Sequence, residues 1–126
     1  MHEKKDKGNY GEDLAVALLE GKGYRILERN WRVQKLEIDI IAQKDNIIAI
    51  VEVKTRSTRE FGDPGELVTK KQRISLIKAA NFYILEKDIE EEEIRFDIVS
   101  VFYFGEGAEV EHIPDAFYPM VNQIKI

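Results

Sequence analysis

Three observations predict an α/β fold with one mixed sheet flanked by helices. A stretch whose apolar residues follow helical spacing comes first, over Tyr10–Glu20. Three strand-like stretches follow, the last two separated by a short polar break at Lys44-Asp45-Asn46. A capped helical stretch from Thr69 then leads into the longest strand candidate, Ile94–Phe104, and a helix at that place permits a crossover with parallel pairing. The order is helix, three strands, helix, strand: an αβββαβ core with a mixed central sheet.

Residues 1–8 are charged and are expected to be mobile. Asn9 suits the N-cap of the first helix, in which Leu14, Ala15, Leu18 and Leu19 lie at helical spacing, and Gly21 and Gly23 suit its end. Glu12 then falls in the first turn, where the helix dipole alone would account for it. Tyr24–Arg32 reads as the first strand, with Trp31 half-buried.

The hairpin Leu36–Thr55 is the centre of the chain. If Asp45-Asn46 is a two-residue turn, Lys44 pairs with Ile47; counting outward sets Asp39 opposite Glu52 and Glu37 opposite Lys54. Alternation puts Ile48, Ile50, Glu52 and Lys54 on one face, and Ala49, Val51, Val53 and Thr55 on the other. It likewise groups Glu37, Asp39 and Ile41, so three carboxylates and one amine would meet on one patch. A solvated cross-strand Glu–Lys pair, worth ~0.5 kcal/mol, is the ordinary explanation of such charges. It fits less well here, because the same face carries Ile41, Ile48 and Ile50, and charges beside an apolar stripe need a partner or a metal.

Thr55–Gly65 is a loop rich in Gly, Pro, Ser and Thr. Thr69-Lys70-Lys71-Gln72 fits a capping box, and Ile74, Ile77, Ala80, Asn81 and Ile84 lie near one stripe of a helix running to about Glu86. Lys70, Lys71 and Arg73 crowd its first turn, where the dipole disfavours cations; an anion held there would explain them, with Gln72 beside them as a cap. Asp88–Glu93 is a solvated acidic connector, Ile94–Phe104 belongs inside the sheet, and Glu109–Ile113 is a short edge strand after a turn at Gly105–Gly107. His112 reads as a polar side chain at a strand end, since the chain's other histidine is His2. The tail from residue 116, with Phe117, Tyr118, Met120, Val121, Ile124 and Ile126, is apolar enough to dock on the domain or a partner.

At 126 residues, 44% hydrophobic and 34% charged, the chain suits one soluble domain, placed at residues 9–115. With no cysteine, disulfides and thiolate zinc sites are excluded, and a cytoplasmic location is compatible. No apolar run is long enough to span a bilayer, and Met1–Lys7 has no apolar stretch behind it as a secretory signal would. The net charge of −5 is uneven: residues 1–85 carry +3 and residues 86–126 carry −8. A local basic surface can therefore exist on an acidic chain.

Asp39 followed by Glu52-Val53-Lys54 resembles the PD-(D/E)xK nuclease superfamily. Closer still, Gly11-Glu12-x-x-Ala15, Gly23-Tyr24-x-Ile26-Leu27-x-x-Asn30-Trp31-Arg32, Glu37-Ile38-Asp39-Ile40-Ile41-Ala42 and Val51-Glu52-Val53-Lys54-Thr55-Arg56 resemble the YraN-like family of small bacterial proteins. Lys70–Ile74 and Arg95-Phe96-Asp97-Ile98-Val99 also fit, so the likeness covers residues 8–115. Where that family usually has Gly before Glu-Ile-Asp, this chain has Leu36, which lacks the backbone freedom of Gly. The family is grouped with endonucleases and is similar to Holliday-junction resolvases. The resemblance thus implies a restriction-endonuclease-like fold and a nuclease acting on DNA, branched or junction DNA included.

It implies a site as well. Asp39, Glu52 and the Val53 carbonyl would hold Mg²⁺ or Mn²⁺, with Glu12, Glu37 and Lys54 as further catalytic members. Arg32, Arg56, Lys70, Lys71, Gln72 and Arg73 would contact nucleic acid. A symmetric junction would require paired sites, hence a homodimer. A second function stays open beside the first: a non-catalytic nucleic-acid-binding module that keeps the nuclease fold.

Overall fold

The turn at Asp45-Asn46 sets the register of everything around it. Asp45 takes the left-handed conformation, φ 53°, that a short polar residue adopts at little penalty. Lys44 faces Ile47, and pairing continues without slip to Ile40 opposite Val51, as counted from the sequence. The structure, a computed structural model, describes residues 3–57 and 67–119, with side chains from Tyr10 onward. Its elements are α1 (Glu3–Gly21), β1 (Arg25–Val33), β2 (Leu36–Lys44), β3 (Ile47–Arg56), α2 (Lys70–Glu86), β4 (Glu93–Phe104) and β5 (Gly107–Phe117).

The strands form one sheet in the order β1-β2-β3-β4-β5. Its first three strands are an antiparallel meander, β4 lies parallel to β3 after the crossover through α2, and β5 returns antiparallel along the edge. This is the predicted mixed α/β architecture. No helix among the described residues is long and apolar enough to cross a membrane.

The sheet divides two cores. On the α2 side, Ile38, Ile41, Ile48, Ile50, Phe96 and Ile98 pack with Leu76, Ile77, Ala80 and Tyr83 of the helix. On the α1 side, Ile40, Ala42, Ala49, Val51, Val99 and Val101 pack with Ala15 and Leu19. The α2 start matches its sequence signature: Thr69 is the N-cap, its hydroxyl accepting from Gln72 N and its own N–H donating to the Gln72 side chain.

Three expectations are corrected. First, α1 begins at Glu3, so Asn9 is inside the helix rather than its cap; Glu3–Lys7 is rich in Glu and Lys, both good helix formers, and extends a helix that packing anchors further on. Second, β5 is an eleven-residue strand rather than a five-residue one. A register shift between Phe96 and Ile98, with Asp115 at φ 55°, carries it past Pro114 to bury Phe117, stacked on Phe96 at 5.2 Å between ring centroids. Pro114 lacks an N–H, which an edge strand tolerates.

Third, Glu37, Asp39 and Ile41 do not share a face by simple alternation. Ile38 and Ile41, three apart, both lie in the α2-side core, so the alternation slips by one across Asp39–Ile40. The facing stretch of β1 is irregular at the same level, with Asn30 at φ 51° between the pairs Arg29–Ile40 and Trp31–Ile38. Leu36, at the start of β2, is partly buried against the α2-side core. Phe117 of the tail is buried and Tyr118 is exposed; Met120, Val121, Ile124 and Ile126 lie outside the described residues, as does most of the Thr55–Gly65 loop.

Gly11 fixes how closely α1 approaches the sheet. A Cβ there would stand 2.8 Å from the Thr55 methyl and 3.0 Å from the Tyr103 hydroxyl. Gly11→Ala gains about 1 kcal/mol of helix propensity but overpacks this contact by about 1–3 kcal/mol, so the melting temperature should fall by a few degrees. Adding Thr55→Ser, which removes the methyl, should recover part of the loss in the same thermal melts.

Candidate functional site

Asp39 and Glu52 come together where β2 and β3 stop pairing. The last regular pair is Ile40–Val51. Beyond it the Asp39 carboxylate accepts the Val53 N–H at 2.8 Å, so a side chain takes over where the ladder ends. Glu52 follows Val51 on β3, its side chain 18% exposed, with Lys54 Nζ at 3.4 Å from Oε2. The two carboxyl groups are close enough that burial, repulsion from Glu52 and donation of the shared proton to it push Asp39 up to about 7; the Val53 N–H opposes this.

Glu12 approaches from α1. With the helix starting nine residues earlier, it is no longer a first-turn residue, and the dipole does not explain it. Its side chain is 13% exposed. Oε1 accepts Asn30 Nδ2 at 2.9 Å and lies 3.4 Å from Arg29, which binds Asp13 more closely at 2.8 Å. Burial, then the Asp39 charge, raise the Glu12 carboxyl above its ordinary range, while Arg29 and Asn30 hold it back.

Glu37 is turned elsewhere. It pairs with Arg32 at 3.4 Å, and Lys54 pairs with Glu52, so the expected Glu37–Lys54 contact is absent. Strand pairing ends before Glu37 could face Lys54, which is the physical reason. Glu37 acts on Asp39 only through its charge. Among the described residues no group of three or more His, Cys, Asp or Glu side chains is arranged to hold a metal. Asp39 and Glu52 form a pair of carboxyl groups, one short of such a group.

The basic residues spread out from there. Arg56, on β3, donates through Nε to Ser100 Oγ at 3.1 Å and lies over the Phe102 ring. Lys70 and Lys71 are exposed at the α2 N-terminus, and Gln72 is engaged in the capping box. Arg73 is half-buried, its Nε enclosed without a hydrogen-bond partner among the described residues. Arg32 is well exposed apart from its Glu37 contact.

A second polar cluster was not anticipated. Asp97, on β4, has a fully buried side chain held by both guanidinium contacts of Arg95 (2.8 and 2.7 Å), by His112 Nε2 (2.7 Å) and by the Asp115 N–H (3.0 Å). Arg95 also donates to the Tyr24 hydroxyl. His112 Nδ1 stands 2.6 Å from Lys22 Nζ; an ammonium only donates, so Nδ1 accepts and Nε2–H donates to Asp97. His112 is thus an enclosed tie between β4, β5 and the end of α1, not a polar group at a strand end. Arg95 and Asp97, two apart on a strand and therefore on one face, were the visible half of this signal; His112 is fifteen residues further on.

The uncharacterised protein family UPF0102 matches residues 11–101. The chain belongs to this family. It is 52% identical over 118 residues to a UPF0102 protein of Flavobacterium psychrophilum, covering 94% of this chain and 98% of that one. A UPF0102 protein of Myxococcus xanthus is 41% identical over 115 residues, 91% of each chain. One from Clostridium perfringens is 43% identical over 115 residues, 90% of this chain and 94% of the relative. UPF0102 membership confirms the YraN-like resemblance and carries no named activity. Both clusters lie within the matched residues except His112 and Asp115.

Buried Asp97 and half-buried Asp39 predict opposite responses. Burial would raise the Asp97 carboxyl, but Arg95, His112 and the Asp115 N–H outweigh it and hold it below the ordinary range. Its contribution is therefore present above about pH 4 and lost in stronger acid. Asp97→Asn strands Arg95 and should cost about 3–5 kcal/mol in denaturant unfolding at neutral pH. Asp39 binds its proton more tightly when folded, so its favourable contribution is full below the ordinary carboxyl range and is lost as pH rises through about 7. Asp39→Asn should raise the melting temperature relative to wild type by an increment that grows from pH 4 to 7 and then levels; a pH-independent difference would contradict the shift.

Proposed function

We propose that this protein is a divalent-metal-dependent nuclease acting on DNA. The observation that carries the reading is the Asp39–Glu52 pair. Two carboxylates are brought together with one backbone N–H and one ammonium to offset them, an arrangement that resists full ionisation unless a cation joins it.

The residues fit Mg²⁺ or Mn²⁺. These are hard cations met by one or two carboxylates, with water and substrate phosphate completing the shell. Asp39, Glu52 and the Val53 carbonyl would supply oxygen only. When bound, the metal supplies Lewis acidity toward a phosphodiester and makes a bound water easier to deprotonate.

The chain's own groups do the rest. Lys54, 23% exposed and beside Glu52, is placed to orient the attacking water or to stabilise charge developing on the phosphate. Lys70 and Lys71 at a capped helix N-terminus, with Arg32, Arg56 and Arg73, supply positive groups for the phosphate backbone. Glu37, tied to Arg32, has an electrostatic part at most. A junction with two-fold symmetry would call for two copies of the site, and hence a dimer.

Lys54→Ala separates catalysis from architecture. With branched, flayed and linear DNA in Mn²⁺, cleavage should fall by about 10²–10³, while calorimetric Mn²⁺ affinity and melting temperature stay near wild type. Asp39→Asn should abolish Mn²⁺ binding. Retained cleavage by a folded, metal-binding Lys54→Ala variant rejects the role of Lys54. No cleavage by wild type on any of these substrates rejects the nuclease and leaves the binding module.

A further inference from the structure

We infer that Asn30 is a positioning residue, whose side-chain amide holds the Glu12 carboxylate against the sheet on the side of Asp39, as an outer neighbour of the Asp39–Glu52 metal site. Three independent features meet at this residue. Its backbone is left-handed, φ 51°, inside a nine-residue strand. Its flanking pairs, Arg29–Ile40 and Trp31–Ile38, place it across from Asp39. Its Nδ2 donates to Glu12 Oε1 at 2.9 Å, the shorter of the two contacts that oxygen receives.

The residue type follows from those demands. A left-handed backbone restricts the position to Gly, Asn or Asp at low strain. Gly offers no donor. Asp has the shape of Asn but would present a carboxylate to a carboxylate. Asn alone of the three gives both the backbone and a neutral donor, and a neutral donor orients Glu12 without cancelling the charge a cation would use. Arg29 does not replace it, because its shorter contact, 2.8 Å, goes to Asp13. Both contacts converge on Oε1, and Oε2 accepts no hydrogen bond among the described residues.

The strand irregularity then has a use. With Asn30 left-handed, Arg29 and Asn30 both reach α1, where strict alternation would send one of them to the other face. Across the ladder, the alternation of β2 slips at Asp39–Ile40. The paired distortions put an α1 carboxylate and a β2 carboxylate on the same side of the sheet, within reach of each other's charge.

The inference rests on the metal reading above, and the test keeps the two apart. Mn²⁺ affinity by calorimetry and melting temperature are measured for wild type, Asn30→Gly, Asn30→Asp and the double variant Asn30→Asp/Glu12→Gln. Asn30→Gly keeps the backbone and loses the donor, so Mn²⁺ binding should weaken about 10–100-fold with the melting temperature near wild type. In the double variant the amide introduced on α1 can donate back to the carboxylate introduced on β1, restoring the tie with the charge on the wrong side. It should therefore regain the stability lost by Asn30→Asp but not the Mn²⁺ affinity. Recovery of both would overturn the positioning role, as would Asn30→Gly binding Mn²⁺ as tightly as a wild type that binds it. A wild type that binds no Mn²⁺ overturns the metal reading and this inference together.

Discussion

Strand β3 meets water on neither face from Ile48 to Val51, and the rest of the molecule is arranged around that constraint. Ile48 and Ile50 belong to one core and Ala49 and Val51 to the other. A strand clad in this way requires helices on both sides, and the two helices come one before the meander and one after it. Charge can enter only where the cladding ends. Glu52 and Lys54 sit there, in the last part of the strand, partly exposed and in contact with each other.

The molecule treats buried Asp97 and half-buried Asp39 in contrasting ways. Asp97 receives a guanidinium, an imidazole and a backbone N–H, and its charge is fully matched. That network joins β4 to β5 and to the end of α1, and its closure leaves nothing for a ligand to do. Asp39 receives one backbone N–H and faces another carboxylate. Under-matched charge in a partly open place is the mark of a site that expects company. Both aspartates lie in stretches that carry the family resemblance, yet only Asp39 is left under-matched.

What the sequence made legible was local or periodic. The two-residue turn fixed the hairpin register through Ile40–Val51, the Thr69–Gln72 capping box fixed the start of α2, and an apolar run after a helix gave the parallel β4. Three things were hidden because they depend on distant partners. The slip at Asp39 is visible only once Asn30 lies across from it; an Asn within a strand was a faint signal, being a poor strand former at ease with positive φ. The α1 start was masked by a charged run with no apolar stripe. His112 read as a polar side chain at a strand end because Asp97 and Lys22, which explain it, are fifteen and ninety residues away.

The hairpin turn also has a bearing on assembly. Beyond closing β2 and β3, Asn46 receives the chain again far along the sequence: its carbonyl accepts the Glu93 N–H at 2.8 Å, and its side chain donates to the Glu91 carbonyl at 3.2 Å. The first bond meets β4 at its first residue and the second holds the chain two residues before it, and the ten-pair parallel register runs on from Ile47–Glu93. The meander needs only short loops, whereas the crossover must close a much longer one. A meander formed early thus presents a preset landing point. The incoming strand is indexed there before its apolar residues zip, and a parallel pairing that could otherwise slide by two residues, with little change in which faces are buried, has one place to start.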